Sequence, residues 1–159
     1  MIVKLNQKTY FGVEHLVTYE ETNLVGNVYY TNFIKWQGIV RESFLAEHCP
    51  SIIDLSKSGL AMATVRIGTK FLNPAFGFDS VRTLMHADWV SGSLVHLSFV
   101  TQIKQEDGSF KKACSGFQIT SFLRHGQPGI PQIVLDALFN SGIWDGSAYG
   151  DDTNVKGLP

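Results

Sequence analysis

The sequence has few charged residues and only two cysteines, and both shortages limit what the protein can be. Charged residues make up 17% of the 159 residues, against roughly 25% in ordinary soluble domains. Lysine and arginine total 13 and aspartate and glutamate 14, with a net charge of −1 and no long block of either sign. This balance argues against a nucleic-acid-binding face. With 44% hydrophobic residues, the chain is expected to bury surface against further copies of itself or around an apolar ligand. The alternative is an ordinary monomer of low charge content.

The chain also has no disulfide framework, no long apolar run and no apolar signal segment at its start. Cys49 and Cys114 are expected to be reduced and to behave as small apolar residues. The longest stretch without an ionised side chain, Trp89 to Ile103, is shorter than the roughly 20 residues that span a membrane. We therefore expect a cytoplasmic protein that makes no membrane contact.

Several catalytic motifs are missing as well. The sequence has no Gly-x-Ser-x-Gly elbow, no glycine-rich phosphate loop and no Cys-x-x-Cys pair. Its five histidines are scattered without metal-ligand spacing. We therefore expect no metal, no cofactor and no activated serine.

The pattern of apolar residues predicts one long helix and five strands. Alternation predicts a first strand from Thr9 to Thr18. Helical spacing predicts a helix from about Tyr30 to Glu47, with Thr31 or Asn32 as a cap near its start. Four further strands are predicted in meander order at Leu60–Phe71, Ser80–Val90, Ser93–Glu106 and Ser109–Leu123, with Asp107-Gly108 as a hairpin turn. Five strands and one apolar helix predict an α+β fold in which the sheet wraps the helix.

The length fits one domain, since domains average roughly 150 residues. We expect this domain to span residues 1–125. Residues 126–144 are predicted to form an extension with a short helix from Gln132 to Phe139. Residues 145–159, which have little to bury, are predicted to be a disordered tail.

A candidate site lies at the start of the predicted helix. A helix start offers unpaired backbone amides and a partial positive charge, which suit a carbonyl oxygen that gains negative charge. The segment Asn23 to Phe33 leads into this start, and Arg41 lies on the apolar side of the helix. The alternatives are that Asn23, Gly26 and Asn27 only shape a turn, and that Arg41 is a snorkelling side chain or part of a buried ion pair.

The run from Glu20 to Phe33, followed by Trp36-Gln37-Gly38 and Arg41-Glu42, resembles the active-site segment of hot-dog-fold acyl thioesterases of the 4-hydroxybenzoyl-CoA thioesterase type. It is closest to the thioesterases of enediyne polyketide biosynthesis. The resemblance spans Thr9 to Leu123, with its specific part in the first half. It implies a five-stranded antiparallel sheet wrapped around one long central helix. It also implies a homo-oligomer, dimer or tetramer, in which two subunits line each site.

The sequence departs from the broader family at one informative position. Asn23 stands where that family carries its catalytic Asp, and an amide can neither attack a thioester nor act as a base near neutral pH. The enediyne group is similar to this chain in that respect. The resemblance implies a mechanism that depends on the Asn and the Arg. Our hypothesis is hydrolysis by water, with Asn23 positioning the water and the Tyr30 amide holding the carbonyl oxygen. Arg41 would stabilise negative charge or place the polar end of the acyl chain. We expect these three groups to converge on one cavity.

The resemblance also implies a substrate and a set of binding residues. The implied substrate is a polyene or β-keto polyene on the acyl carrier domain of an iterative polyketide synthase. The expected substrate-binding residues are Gly26, Asn27, Tyr29, Phe33, Trp36, Gln37 and Thr64. Phe33 has no hydroxyl where relatives often carry Tyr. Apolar residues expected to line an acyl tunnel are Phe33, Trp36, Val40, Phe44, Phe71, Phe76, Phe78, Phe99 and Phe117. The alternative is that the phenylalanines are simply core residues.

Three other functions remain open. The chain is alternatively a general acyl-CoA thioesterase or a non-catalytic acyl-binding partner of a synthase. A hot-dog dehydratase is less favoured, because no histidine with a downstream carboxylate stands at the helix start.

Overall fold

The computed structural model describes residues 1–148, so the predicted disordered tail lies outside the described residues from position 149 onward. Three helices and seven strands follow one another in this part of the chain. They are β1 (Ile2–Leu5), β2 (Lys8–Leu16), α1 (Tyr30–His48), α2 (Ile52–Lys57), β3 (Leu60–Phe71), β4 (Ser80–Ser91), β5 (Leu94–Lys104), β6 (Phe110–Arg124), β7 (Gln127–Pro128) and α3 (Gln132–Asn140).

The strands form one antiparallel sheet in the order β1-β2-β4-β5-β6-β3, with β7 paired to β6. The five predicted strands are confirmed, and β1 and β7 are additional. The predicted meander order is wrong for β3, which pairs with β6 instead of β4. The ladder extends past β3, because the amides of Leu72 and Asn73 both donate to the Ala113 carbonyl. Because β3 is last in the strand order, it is an edge strand.

The long helix α1 lies against one face of this sheet. Its buried side chains include Phe33, Trp36, Val40 and Phe44, which is the apolar stripe that the sequence predicts. Around this stripe the sheet contributes Phe11, Met85 and Phe99 among other core residues. The predicted α+β fold, a sheet wrapped around one long helix, is confirmed. Gln37 is also fully buried on this helix, which its polarity did not predict.

The start of α1 has no side-chain cap, so the predicted caps Thr31 and Asn32 are wrong. The helix begins at Tyr30, as predicted, and the residue before it, Tyr29, is extended. Tyr29 is held in that conformation because its amide donates to the Glu21 carbonyl at 2.8 Å. The Asn32 side chain donates to the same carbonyl at 2.9 Å and is thereby turned away from the helix start. The first amides of α1 are left without a side-chain acceptor.

Helix α3 matches the predicted short helix and packs onto the core that α1 and the sheet share. Val134, Ala137 and Leu138 are its buried residues. After α3 the chain returns to the sheet, where Ala87 donates to the Ile143 carbonyl at 2.9 Å. The six-residue helix α2 joins α1 to β3, and none of its residues is buried.

Both cysteines are free and buried, as the sequence predicts. Burial raises the pKa of the Cys114 thiol to about 11, so this thiol stays protonated at neutral pH. No helix within residues 1–148 is long and apolar enough to cross a membrane.

Candidate active site

The loop ahead of α1 is a tight turn built by its own backbone. Asn23 donates its amide to the Asn27 carbonyl at 2.8 Å and accepts the Gly26 amide at 2.9 Å. The Asn23 side-chain oxygen also accepts the Val25 amide at 3.0 Å. Gly26 has φ +86°, a backbone conformation that residues other than glycine rarely adopt. Asn23 and Gly26 therefore do shape a turn, and the carboxamide nitrogen of Asn23 is what remains for a ligand.

This turn and the start of α1 form one wall of an open cleft of about 470 Å³. The cleft is lined by Asn23, Asn27, Val28, Tyr29, Tyr30, Phe33, Phe71, Leu72, Asn73 and Pro74. None of these side chains is ionised at neutral pH. The Tyr30 amide occupies the first turn of α1 and has no hydrogen-bond acceptor among residues 1–148. The cleft thus combines a free helix-start donor with a carboxamide and contains no carboxylate.

Aromatic rings form the sides of the cleft. The rings of Tyr29 and Tyr30 lie 4.7 Å apart, and Phe71 from the end of β3 lies 5.7 Å from Phe33 and 6.3 Å from Tyr30. A hydrogen bond with the neighbouring Tyr30 hydroxyl raises the pKa of Tyr29, so the Tyr29 phenol is neutral at physiological pH. These rings offer an apolar approach to the helix start.

Arg41 lies three helical turns beyond Tyr30, about 16 Å along the axis at 1.5 Å per residue. Its Nη1 donates to the Thr64 hydroxyl at 2.9 Å and to the Gln118 side-chain oxygen at 3.1 Å. Its contact with the exposed Glu42 is 3.7 Å long, a surface ion pair of little strength. Hydroxyl and carboxamide oxygens therefore hold Arg41, and a buried carboxylate does not.

The expected convergence on one cavity is not met within a single chain. Asn23 and Tyr30 line the open cleft, whereas Arg41 lines a second cavity deeper between α1 and the sheet. The reason is helical geometry, because eleven residues of rise separate Tyr30 from Arg41.

A row of polar groups connects the two cavities along the side of α1 that faces β3 and β6. Gln37, fully buried, accepts a hydrogen bond from the Gln118 side chain at 3.2 Å. Gly116 allows this approach, because a Cβ there would lie 2.7 Å from the Gln37 side-chain nitrogen. Within the described residues, the buried atoms Gln37 Nε2, Arg41 Nε and Thr69 Oγ1 have no hydrogen-bond partner. Such atoms cost about 1–3 kcal/mol each unless water or a ligand contacts them.

The second cavity is apolar except at the end that holds Arg41. It is lined by Arg41, Phe44, Leu45, Met62, Met85, Val95, Leu97, Thr120, Phe122, Val134 and Leu138. Its free volume is about 20 Å³, which is room for about one water molecule.

On the opposite side of α1, toward β2, the helix contacts a buried carboxylate from the preceding loop. Sequence analysis did not single out this residue, Glu21. Glu21 is 5% exposed. Its oxygens accept the Trp36 indole at 2.9 Å and the Thr18 amide at 2.9 Å, and lie 2.7 Å from His15 Nε2. Burial alone would raise the pKa of Glu21, but the hydrogen bonds from Thr18, His15 and Trp36 outweigh it and lower that pKa to about 2. Glu21 is therefore ionised and fixes the loop that precedes the cleft.

The structure divides the predicted site residues into three groups. Asn23, Asn27, Tyr29, Tyr30 and Phe33 line the cleft, and Gly26 forms the turn beside it. Gln37, Arg41 and Thr64 belong to the polar row. Trp36 instead points to Glu21 on the other side of α1.

Among the phenylalanines predicted to line a tunnel, the two cavities use Phe33, Phe71 and Phe44. Phe76 and Phe78 are exposed, and Phe99 is core. Gln118 and Thr120, which sequence reasoning missed, are buried polar residues spaced by two on β6. That spacing on an otherwise apolar strand face was the available signal. Within residues 1–148, no group of three or more His, Cys, Asp or Glu side chains is placed to hold a metal ion.

An antiparallel sheet curved around one long helix, with a cleft at the helix start, defines the hot-dog class of proteins. The chain is similar over 83% of its length to 96% of the dynemicin thioesterase, with 34% identity and a TM-score of 0.77. By this similarity the chain belongs to the hot-dog-fold acyl thioesterases and is a thioester hydrolase.

More distant structures share the fold. The 1,4-dihydroxy-2-naphthoyl-CoA thioesterase from Synechocystis is 20% identical, with a TM-score of 0.69 over 82% of this chain and 96% of its own. The 4-hydroxybenzoyl-CoA thioesterase from Pseudomonas sp. strain CBS-3 is 11% identical, with a TM-score of 0.72 over 80% of this chain and 98% of its own. No protein-family model and no curated protein matches the chain.

Proposed function

We propose that this thioesterase hydrolyses a polyene or β-keto polyene thioester carried on the acyl carrier domain of an iterative enediyne polyketide synthase, in the cytoplasm. The observation that carries the proposal is the cleft itself, which holds a free helix-start amide and Asn23 and no carboxylate. The dynemicin thioesterase, 34% identical, has been crystallised to study polyene binding in that protein.

The proposed reaction needs no acidic residue of the protein. The thioester carbonyl oxygen accepts a hydrogen bond from the Tyr30 amide, while Asn23 holds the attacking water. The water oxygen bonds to the carbonyl carbon, and the negative charge that develops on the carbonyl oxygen is stabilised at the helix start. The carbon–sulfur bond then breaks, and the leaving thiolate takes up a proton from the water. Tyr29, Asn27, Gly26 and Phe33 shape the cleft around the reacting group.

Arg41 acts on the acyl chain in this proposal. Its distance from Tyr30 along α1 places it beside the chain instead of beside the thioester of the same subunit. The free Arg41 Nε and Gln37 Nε2 offer donors to an oxygen on a β-keto or partly oxidised chain, and Thr64 holds the guanidinium in place. A saturated hydrocarbon chain has no oxygen that could accept hydrogen bonds from these donors.

We also propose that the enzyme is a homo-oligomer, dimer or tetramer, whose sites are lined by two subunits. The edge strand β3 supports this, because Val65 and Ile67 on it are 47% and 46% exposed. An unpaired apolar edge strand favours pairing with another copy. The low charge content of the chain is consistent with buried surface of this kind.

A thiol-release assay tests the proposal. The same polyunsaturated acyl group is presented on a carrier domain and on CoA, and released thiol is measured at equal concentrations. We expect kcat/KM at least tenfold higher for the carrier thioester. Equal values would favour the general acyl-CoA thioesterase. No release from either thioester, with acyl binding retained, would favour the non-catalytic binding partner.

A further inference from the structure

Helix α3 forms part of the wall of the cavity that Arg41 also lines. Val134 and Leu138 of α3 are 2% and 3% exposed and are its lining residues from this helix. The remaining wall comes from α1 and the sheet, including Phe44 and Phe122. An apolar chain that entered this cavity past Arg41 would therefore contact α3.

The path to α3 begins at the cleft. Phe33, Gln37, Arg41 and Phe44 succeed one another along α1 at intervals of three or four residues, so they lie on one side of the helix. The first of these lines the cleft, and the last two line the inner cavity. The free polar atoms of Gln37 and Arg41 lie between the two. These residues mark the line along α1 that a chain would follow from the Tyr30 amide to α3.

The length of this route can be read from the helix. Fourteen residues separate Tyr30 from Phe44, which is about 21 Å at 1.5 Å per residue. An extended hydrocarbon chain advances about 1.25 Å per carbon, because its bonds of about 1.5 Å meet at tetrahedral angles. A chain held by its carbonyl at Tyr30 would therefore reach α3 after about 17 carbons.

The route is closed in the structure. The free space next to it is about 20 Å³, so a chain can enter only if side chains or α3 move. On its N-terminal side α3 follows the segment Gly126 to Pro131, whose Gly129 makes one backbone bond, to Phe122. On its C-terminal side Gly142 has φ +76°, a conformation that favours glycine.

We infer that α3 is the end wall of the acyl-binding route and that Val134 and Leu138 determine the longest acyl chain that the enzyme accepts. The inference depends on the proposed function only for the identity of the occupant, an acyl chain whose carbonyl lies at Tyr30. It treats α3 as part of the substrate site and not as an accessory extension.

The test compares chain-length profiles of variants at the end wall. Leu138→Ala removes volume at the wall, and Val134→Phe adds it, while Ile133→Ala changes an α3 residue outside this wall. Hydrolysis of acyl-CoA thioesters with 8 to 20 carbons is measured for each, and we expect a decline beyond about 17 carbons in the unmodified enzyme. Leu138→Ala should raise the ratio of kcat/KM for 18 carbons over 14 by about tenfold. Val134→Phe should lower it, and Ile133→Ala should leave it unchanged.

A ratio is used because lost stability would lower all rates together and leave the profile intact. Calorimetric titration of the same variants with free fatty acids of 8 to 20 carbons gives a second profile that does not require hydrolysis. Variant-dependent binding profiles without hydrolysis would support α3 as the end wall and contradict the proposed function. Hydrolysis with identical profiles in all variants would overturn α3 as the end wall and leave the proposed function standing. Neither binding nor hydrolysis would overturn both.

Discussion

Polar groups lie on both sides of α1, and the network around Glu21 is complete whereas the polar row around Gln37 and Arg41 is not. Toward β2, Glu21 collects hydrogen bonds from Thr18, His15 and Trp36. Toward β3 and β6, Gln37 and Arg41 are also hydrogen-bonded, yet one buried nitrogen of each has no partner in the described part of the chain. The same helix thus carries a satisfied polar network and an unsatisfied one.

The difference separates structural polarity from polarity that awaits a ligand. Buried polar groups in folded proteins are nearly always paired, so unpaired ones need an explanation. The side toward β2 holds the loop 18–23 in place and thereby sets the start of α1. The side toward β3 and β6 leads from the cleft to the inner cavity. In the proposed function an acyl chain with oxygen substituents would supply the missing acceptors.

Arg41→Ala should give the largest effect. We expect kcat/KM for long, oxygenated acyl thioesters to fall about 10²- to 10³-fold, as for the loss of a charged hydrogen-bond donor in a buried site. Because Arg41 lies beside the chain, hydrolysis of acetyl and butyryl thioesters should fall less than about threefold. Steady-state kinetics across acyl lengths checks both expectations.

Arg66→Ala is the matched control, since Arg66 lies on the same strand as Thr64 but stacks over Phe117. An equal loss for short and long acyl groups would show that Arg41 acts on the thioester oxygen, for example across a subunit interface. Unchanged turnover of every substrate would remove Arg41 from the mechanism.

Glu21→Gln should give the next largest effect, and on stability instead of turnover. The amide keeps the shape of the side chain but cannot accept both from Thr18 and from Trp36 with the strength of a carboxylate. We expect the free energy of unfolding at pH 7 to fall by about 3 kcal/mol, measured by urea denaturation. Glu20→Gln, an exposed neighbour, should change it by less than about 0.5 kcal/mol.

The pH dependence sharpens this prediction. The pKa of Glu21 is about 2 in the folded protein, below its ordinary value of 4.5. A lowered pKa stabilises the fold above pH 4.5, and this contribution is lost as the pH falls from 4.5 toward 2. The stability difference between the wild-type protein and Glu21→Gln should therefore shrink over that range. A difference that stays constant down to pH 2.5 would contradict the role of the ionised carboxylate.

Sequence patterns were sufficient to predict the bounds of helices and strands, because these depend on the order of residues close together in the chain. The periodicity of Phe33, Trp36, Val40 and Phe44 predicts α1 within one residue of its observed end, and alternation predicts the bounds of β3. The position of β3 at the sheet edge could not be predicted in this way. Alternation states which face a strand buries, but not which neighbour it pairs with.

The candidate site shows the same division. The turn at Asn23 and Gly26 and the free Tyr30 amide follow from residues close in sequence, and they were predictable. The partners of Arg41 were not, because Gln118 is 77 residues away along the chain and comes close only through the β3–β6 pairing. Glu21 was missed for a related reason, since an acidic residue in a loop gives no sign that Trp36 and His15 will bury it.

Asn23→Asp should give the smallest effect. This variant tests whether Asn23 needs only to keep the turn and position water, or whether the cleft works better with a carboxylate. An aspartate oxygen can still accept the Val25 amide that Asn23 now accepts, so the turn should be retained. If Asn23 only positions water, kcat should change less than about tenfold, and no new ionisation should enter the pH profile of kcat. Asn27→Asp places the same charge in the same cleft and so controls for the electric field of an added carboxylate. A large gain confined to Asn23→Asp, with activity rising through the pKa of a carboxylate, would show instead that the cleft is built for the carboxylate chemistry of the wider family and that this chain merely lacks its acid.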